Sequence, residues 1–253
     1  MSEPANLRFE SGMAAPEVKL LPQLVEIEEV ISRTCEYFFK NGSPLPNSPF
    51  KGFLLEGPPG TGKTEIVRQV ARKLDRRLGN VFRLFVDGAS IAAPRWGDAE
   101  KALQRVFQLP EELRKEKYRN PKLIIHFDDI ECLMITRGID LAKEWHYSIN
   151  SILFHEIDSL DPTYEIVCAT TNRSDLVDAA LRDRLFRVEA PPVPLEQLRP
   201  VIREILETSG VRSNLKDIED QVFSKLKSLK TPTIRDARQI TVIECIKNRV
   251  WST

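Results

Sequence analysis

The sequence predicts an α/β fold: a mostly parallel, five-stranded sheet covered by helices, followed by a small all-α domain. As far as residue 190, short apolar runs alternate with amphipathic stretches, the pattern of strands joined by helical crossovers. Pro191-Pro192-Val193-Pro194 then ends the alternation, and only helical patterns follow this stiff hinge. We therefore expect a flexible N-terminal arm over residues 1–16, a large domain over 17–192 and a helical domain over 193–253.

Composition narrows the class of protein without identifying it. Of the 253 residues, 42% are hydrophobic, which is enough for a sizeable core. Lys and Arg number 37, as do Asp and Glu, so the zero net charge gives no overall attraction to nucleic acid or to an anionic membrane. We expect no signal peptide, no membrane span and, from four scattered cysteines, a reducing cytoplasmic location.

The individual elements follow from hydrophobic periodicity. A first helix is expected from about Glu17 to Lys40, with an interruption at Pro22. The five predicted strands cover 52–56, 81–86, 123–127, 165–169 and 186–188. The helices between them are predicted at 65–78, 98–108 and 140–160, and those of the smaller domain at 195–208, 215–229 and 233–250.

A glycine-rich loop follows the first predicted strand and matches G-x-x-x-x-G-K-[ST] at every position. Its glycines let backbone N–H groups turn toward an anion, and the next helix N-terminus adds positive partial charge. Lys63 is placed to reach the outer phosphates, and the Thr64 hydroxyl to hold Mg²⁺. The predicted nucleoside triphosphate site comprises Gly57, Pro58, Pro59, Gly60, Thr61, Gly62, Lys63, Thr64 and Glu65.

Two carboxylates follow the apolar strand predicted at 123–127. Phosphoryl transfer needs one carboxylate near Mg²⁺ and a second group that orients or deprotonates water. We assign Asp128 to the metal and Asp129 to the water; an acidic turn without chemistry is the alternative. His126 alternates with apolar residues and is interpreted as a packed strand histidine, whereas Glu131 is expected to lie too far along the turn to replace Asp129.

Further polar groups lie close to the last two predicted strands. Asn172 could hydrogen-bond the attacking water or the terminal phosphate, although a turn-initiating Asn is the commoner meaning of such a position. Arg182, Arg184 and Arg187 fall within six residues, and a guanidinium fork matches phosphate oxygens. A solvated basic turn paired with nearby aspartates is the alternative.

Together these motifs resemble an AAA+ ATPase module, a P-loop NTPase αβα sandwich with a helical lid, and most of all the AAA proteins that remodel protein substrates. The resemblance covers roughly residues 17–250. Residues 57–64 resemble Walker A and 123–129 resemble Walker B. Asn172 in Ala-Thr-Thr-Asn-Arg matches the sensor 1 asparagine, and the lid residue Arg235 falls at the sensor 2 position, with Arg238 as second choice.

The resemblance implies ATP and Mg²⁺ as ligands and a homo-oligomeric ring, a hexamer in ATP. Arg184 and Arg187 match the spacing of arginine fingers that complete the site of the next subunit. ATP would lie between the large domain and the lid. The choice of adenine over guanine is implied by the resemblance alone.

The sequence departs from the family pattern at two places. Trp96 lies directly before Gly97 in a segment that resembles the first pore loop, one place later than usual; gripping an extended polypeptide and anchoring the loop are both open. Walker B ends Asp-Asp instead of Asp-Glu, so the base Asp129 is one methylene shorter. Because a base contributes about 10²–10⁴ in rate, a shortened one predicts slow hydrolysis or a long-lived triphosphate state.

We therefore predict an ATP-hydrolysing AAA+ ring protein that remodels or threads a protein partner. Selection of that partner would depend on the short N-terminal arm, the pore or an adaptor. Two other functions stay open. A helicase-loader-like ATPase would act on nucleic acid, and such loaders are of similar length and often carry Asp-Asp in Walker B. A switch or scaffold would bind ATP and a partner but hardly turn over.

Overall fold

A single sheet forms the centre of the larger of two structural units in our computed structural model. The model describes residues 7–45, 48–91, 98–116, 118, 120–133, 144–210 and 214–250. The larger unit comprises Met1–Gly57 and Lys63–Glu189, and the smaller comprises Pro58–Gly62 and Ala190–Thr253. The observed division at Glu189 falls just before the proline-rich run, close to the predicted boundary.

The sheet has six strands in the order β1-β3-β4-β5-β2-β6. Every neighbouring pair is parallel except β1 and β3, which are antiparallel. The mostly parallel sheet is confirmed, but the predicted count of five strands is wrong by one. The strands are β1 (Leu7–Ser11), β2 (Gly52–Glu56), β3 (Val81–Asp87), β4 (Lys122–Asp128), β5 (Glu165–Thr171) and β6 (Phe186–Glu189).

The additional strand, β1, lies in the segment expected to be a flexible arm. Leu7 and Phe9 alternate with polar residues and pack against the core, and the Phe9 ring stacks on Phe82 with centroids 4.9 Å apart. Beyond β1, a Cβ on Gly12 would lie 2.4 Å from the Ala71 carbonyl oxygen, so only glycine fits this close approach. Residues 7–16 thus differ from the expectation because five alternating residues are too short a pattern to identify a strand.

Nine helices lie in the described part of the chain. The first begins at Pro22, where the sequence predicts an interruption, because proline is favoured at the first helical position. None of the described helices is both long enough and apolar enough to cross a bilayer. They are α1 (Pro22–Asn41), α2 (Lys63–Leu78), α3 (Gly88–Ile91), α4 (Asp98–Glu116), α5 (Glu144–Ser159), α6 (Ala179–Arg182), α7 (Arg199–Thr208), α8 (Leu215–Lys227) and α9 (Ile234–Val250).

The core of the larger unit explains why its central strands are almost continuously apolar. β4 and β5 have helices on both faces, so successive side chains are buried regardless of which face they point to. Ile124, Ile125 and Phe127 are all inaccessible to solvent, and so is His126 between them. The interpretation of His126 as a packed strand histidine is therefore confirmed.

The smaller unit is built from α7, α8 and α9 together with the tip of the glycine-rich loop. Ile202, Val222 and Leu226 are buried among its helices. The backbone N–H of Ile234 donates to the Gly60 carbonyl at 3.2 Å, which holds the loop tip to the start of α9. Gly60 has φ +76°, and an added Cβ would lie 2.7 Å from Thr233 Cβ, so both the backbone and the space require glycine.

The docking of the N-terminal segment is testable at Asp75 of α2. Its carboxylate accepts hydrogen bonds from the Ser11 hydroxyl at 2.7 Å, the Met13 N–H at 3.1 Å and the Val81 N–H at 3.1 Å. Asp75→Asn keeps the size but leaves one acceptor oxygen. We expect the free energy of unfolding to fall by about 1–3 kcal/mol and proteolysis within residues 7–16 to accelerate.

The matched control is Glu207→Gln, which makes the same chemical change at an exposed position of α7. Its free energy of unfolding should stay within about 0.5 kcal/mol of wild type. Equal unfolding free energies and cleavage rates for wild type and Asp75→Asn would show that the segment is held by other contacts.

Candidate nucleotide-binding site

The predicted site residues of the larger unit converge because β4, β5 and β2 are neighbours and run in the same direction. Their carboxyl ends therefore meet at one edge of the sheet, where ligands bind in folds of this class. β2 leads into the glycine-rich loop, β4 ends at Asp128, and Asn172 directly follows β5. Segments more than 100 residues apart in sequence are brought together in this way.

Lys63, the first residue of α2, is central to this edge. Its ammonium group donates to the Gly57 carbonyl and to Asn172 Oδ1, both at 2.8 Å. The loop before it turns through three glycines with positive φ, Gly57 at 152°, Gly60 at 76° and Gly62 at 98°. A side chain would strain these conformations, so the loop depends on glycine to turn its backbone.

Asp128 lies directly against Thr64. The Thr64 hydroxyl donates to Asp128 Oδ1 at 2.9 Å, and the Thr170 hydroxyl donates to the same oxygen at 2.5 Å. Sequence reasoning missed Thr170. The available signal was strand register: Phe127 pairs with Ala169, so the next residues of β4 and β5 are neighbours.

Asn172 joins the lysine to the second carboxylate. While its Oδ1 accepts from Lys63, its Nδ2 donates to Asp129 Oδ1 at 2.8 Å. Its backbone N–H donates to Glu131 Oε1 at 3.1 Å. Glu131, which the sequence placed too far along the turn for a role as base, thus contacts the site by holding the backbone of Asn172.

Asp129 has an unusual backbone and an unusual proton affinity. Its φ and ψ are both 52°, a left-handed conformation that aspartate tolerates better than most residues. A Cβ on Gly88 would lie 2.5 Å from the Asp129 carbonyl oxygen, so a glycine must face this turn. Burial, followed by the neighbouring charges of Asp128 and Glu131, raises the pKa of the Asp129 carboxyl. A raised pKa makes the carboxylate a stronger base.

Both predicted arginine fingers bind acidic groups of their own chain. Arg184 forms a bidentate pair with Asp158 at 2.9 and 2.8 Å, and its guanidinium lies 4.8 Å from the centroid of the Phe154 ring. Arg187 donates to Glu56 from two nitrogens, yet 57% of its side chain is exposed. Both guanidinium groups are thus occupied by carboxylates of their own chain.

Three other predicted positions are placed less directly. Arg235 is exposed in the first turn of α9, one residue after the Ile234 N–H that binds the loop tip. Glu65, in the first turn of α2, accepts from Arg68 at 3.2 Å and from Gln69 at 2.8 Å. Trp96 lies outside the described residues.

The donor set fits Mg²⁺ although no group of three or more His, Cys, Asp or Glu in the described part of the chain forms a metal site. Mg²⁺ uses oxygen ligands and is typically held by one or two carboxylates together with waters and substrate phosphates. The 2.9 Å hydrogen bond between Thr64 and Asp128 Oδ1 places a hydroxyl oxygen beside a carboxylate, and these two groups would form the protein part of such a site.

Comparisons with known proteins agree with the geometry. The family model described as "ATPase family associated with various cellular activities (AAA)" matches residues 53–192, more than half of the chain. A chain of the E. coli MS115-1 HORMA:CdnC:Trip13 complex has a TM-score of 0.64 to this structure, with 94% of each chain covered. At 15% identity, that likeness shows the fold alone.

Curated relatives share a domain with this chain. An "AAA ATPase forming ring-shaped complexes" of Corynebacterium diphtheriae is 32% identical over 152 residues, 56% of this chain and 29% of that protein. A "Proteasome-associated ATPase" of Thermobifida fusca is 32% identical over 53% of this chain and 24% of its own. "Protein SAV" of Sulfolobus acidocaldarius is 34% identical over 67% of this chain and 20% of its own length. The chain thus spans less than a third of the length of these relatives.

The raised pKa of Asp129 predicts a pH-dependent stability. The folded protein holds a proton on this carboxyl more tightly than the unfolded chain does, so the ionised carboxylate destabilises the fold above its raised pKa. Without nucleotide or Mg²⁺, we expect Asp129→Asn to raise the melting temperature at pH 7. The difference should shrink as the pH falls through the raised pKa and vanish below the ordinary value of about 4.

The control is Asp175→Asn at an exposed position, where the hydrogen bond from Arg173 lowers the pKa of the carboxyl. Its ionised form stabilises the fold, so this variant should have a slightly lower melting temperature at pH 7. A pH-independent rise for Asp129→Asn, or a rise for both variants, would contradict the electrostatic explanation.

Proposed function

This chain belongs to the AAA family of ATPases, and from that premise we propose that it binds ATP with Mg²⁺, hydrolyses it and remodels a protein partner as a ring. The observation that carries the proposal is the bridge formed by Asn172 between Lys63 and Asp129. One amide joins a phosphate-binding cation to a candidate base, which is the arrangement needed where a terminal phosphate meets attacking water.

Binding of the triphosphate tail falls to the glycine-rich loop, 57–62, and to Lys63. Backbone N–H groups cradle the phosphates, while the ammonium group neutralises their outer oxygens. Thr64 and Asp128 would hold Mg²⁺, which supplies charge neutralisation at the phosphate oxygens when bound. Lys63 donates to Gly57 and Asn172, and Thr64 donates to Asp128. Binding of Mg²⁺ and nucleotide would exchange some of these internal hydrogen bonds for contacts with the ligands.

Hydrolysis would use Asp129 as base and Asn172 to orient the attacking water. The raised pKa of Asp129 strengthens this carboxylate as a proton acceptor. Its short side chain limits how far the carboxylate reaches, which favours slow turnover. This feature supports a second candidate function, an ATP-dependent switch that holds its triphosphate state for long periods.

Ring assembly would bring Arg184 and Arg187 to the triphosphate of the next subunit, most simply in a hexamer. The exposed side chain of Arg187 is available for such a contact after release from Glu56. Arg184 would have to leave Asp158, with which it forms a bidentate pair. The name of the corynebacterial relative, which includes ring-shaped complexes, supports an assembly of this kind.

A protein partner, engaged directly or through an adaptor, fits the relatives better than nucleic acid does. The Thermobifida relative is named for association with the proteasome, a protein-degrading assembly. The neutral overall charge also gives nucleic acid no general attraction. We further propose a cytoplasmic location, a lid formed by residues 193–253, and a sensor 2 role for Arg235, which is supported by its place beside the loop-binding Ile234 N–H.

Phosphate release tests the hydrolytic role of Asp129. We expect wild-type protein to release phosphate slowly and Asp129→Glu to raise kcat by roughly tenfold, because the longer side chain restores the reach of the base. Asp129→Asn should lower kcat by about 10²-fold or more. Lys63→Ala defines the background, and turnover unaffected by this substitution would reveal a contaminating ATPase.

Ring assembly and partner binding can be tested together with Asp129→Asn, the variant expected to hydrolyse ATP most slowly. Asp129→Asn protein with ATP should elute as a closed oligomer and retain a protein client, and both should be lost when ATP is omitted. Adding Arg187→Ala to this variant should prevent assembly without abolishing ATP binding. If Asp129→Asn stays monomeric in saturating ATP and retains no client, the remodelling function is wrong.

A further inference from the structure

A row of polar side chains, of which the inner two are buried, crosses three neighbouring strands and ends beside the proposed metal ligand. Glu10 lies on β1, Arg83 on β3, and His126 on β4, two residues before Asp128. Glu10 and Arg83 are paired directly in the register of β1 and β3. Arg83 is 5% exposed and His126 is fully buried, so both polar groups lie inside the larger unit.

The donor and acceptor of each hydrogen bond between Glu10, Arg83 and His126 can be assigned. Arg83 donates to Glu10 Oε1 from Nε at 2.8 Å and also from Nη2. Its Nη1 lies 2.9 Å from His126 Nδ1. Since a guanidinium has only donors, Nδ1 must accept, and the proton of the neutral imidazole is left on Nε2. An imidazole whose Nδ1 accepts a hydrogen bond carries one proton, so the buried ring is neutral.

The free end of the imidazole faces the nucleotide site. His126 Nε2 is buried, has no hydrogen-bond partner among the described residues, and lies 3.8 Å from Asp128 Oδ1. That oxygen already accepts from Thr64 and Thr170. A proton on Nε2 places positive partial charge 3.8 Å from the oxygen that the two hydroxyl groups hold, too far for a hydrogen bond but close enough for electrostatic attraction.

We propose that Glu10, Arg83 and His126 are positioning residues for Asp128, and that the N-terminal strand β1 thereby affects Mg²⁺ binding at the nucleotide site. Glu10 orients Arg83, Arg83 fixes the tautomer of His126, and the positive end of the Nε2–H dipole attracts Asp128 Oδ1 across 3.8 Å, which keeps that oxygen on the protein side. Asp128 Oδ2 is then presented to the metal. The inference rests on the proposed Mg²⁺–nucleotide site, and partners of metal ligands commonly influence affinity in this way.

A purely structural role would not need the histidine. The pair of Glu10 and Arg83 links β1 to β3 without the histidine, and the residues on either side of His126 in β4 are apolar and fully buried. An imidazole at this position costs free energy unless its polar atoms are satisfied. The position of His126 between Arg83 and Asp128 is explained if the imidazole helps to position the Asp128 carboxylate.

Nitrogen-15 NMR of the imidazole side chains tests the first step in the full-length protein. The chain has only three histidines, so the signals of His126 can be assigned by loss in a His126 variant. We expect the neutral Nε2–H tautomer in wild type and a loss of this single tautomer in Arg83→Met, which keeps an unbranched side chain but has no donor. The Nδ1–H tautomer in wild type would overturn the proposal.

The Mg²⁺ dependence of nucleotide binding tests the second step without requiring turnover. A fluorescent ATP analogue is titrated with Mg²⁺, and a separate titration in EDTA measures binding without metal. His126→Leu keeps an apolar strand but removes the donor, so we expect the Mg²⁺ concentration at half-saturation to rise roughly three- to tenfold, with binding in EDTA unchanged. Glu10→Gln should shift it in the same direction by less.

His126→Gln is the matched control, because its amide retains one donor and one acceptor and should stay within about twofold of wild type. An unchanged Mg²⁺ dependence in His126→Leu, or equal shifts in His126→Leu and His126→Gln, would overturn the positioning role. Failure of wild-type protein to bind the analogue at any Mg²⁺ concentration would instead contradict the proposed function. If His126→Leu does not fold, the tautomer in wild type and in Arg83→Met still decides the first step.

Discussion

The parallel alignment of β4, β5 and β2 is the constraint on which the nucleotide site depends. These strands end at the same edge, and their register sets Asp128 beside Thr170 and places Asn172 within reach of Lys63. A shift of one residue in this pairing would turn every side chain to the opposite face. The apolar residues that bury both faces of β4 and β5 prevent such a shift, so the core of the larger unit also determines the geometry of the site.

The charged groups of the site lower the stability of the folded protein when no ligand is bound. Lys63 is buried, and three carboxylates, Asp128, Asp129 and Glu131, lie at the end of one strand and in the turn after it. Hydrogen bonds among the site residues offset part of that cost, while the raised pKa of Asp129 shows that the remainder is not fully compensated. Groups arranged for a charged ligand are commonly suboptimal for stability without it, which is the usual trade between stability and activity.

The ion pairs of Arg184 and Arg187 are a second case in which charged groups would exchange an internal partner for a ligand. Arg184 and Arg187 stabilise their own subunit through Asp158 and Glu56, and in the proposed ring they would exchange these partners for phosphate oxygens. Such exchange makes assembly and nucleotide binding energetically linked, because each arginine must lose one anionic partner to gain another. The Glu10–Arg83–His126 row would add a second link, between the N-terminal edge of the sheet and the metal side of the site.

The sequence by itself determined the α/β class and the position of the glycine-rich loop between a strand and a helix, because these depend on local periodicity and on short motifs with fixed spacing. The binding roles of Lys63, Thr64 and Asp128 were predicted from the same motifs. The sequence did not reveal β1, because five residues are too short a pattern and the strand is held by distant contacts such as the stacking of Phe9 on Phe82. It also missed Thr170 and the contact of Glu131 with the backbone N–H of Asn172, since these contacts arise from strand register and from the left-handed turn at Asp129. Only the tertiary structure could decide these contacts, because pairing between distant strands and the charge environment of buried groups are absent from any local stretch of sequence.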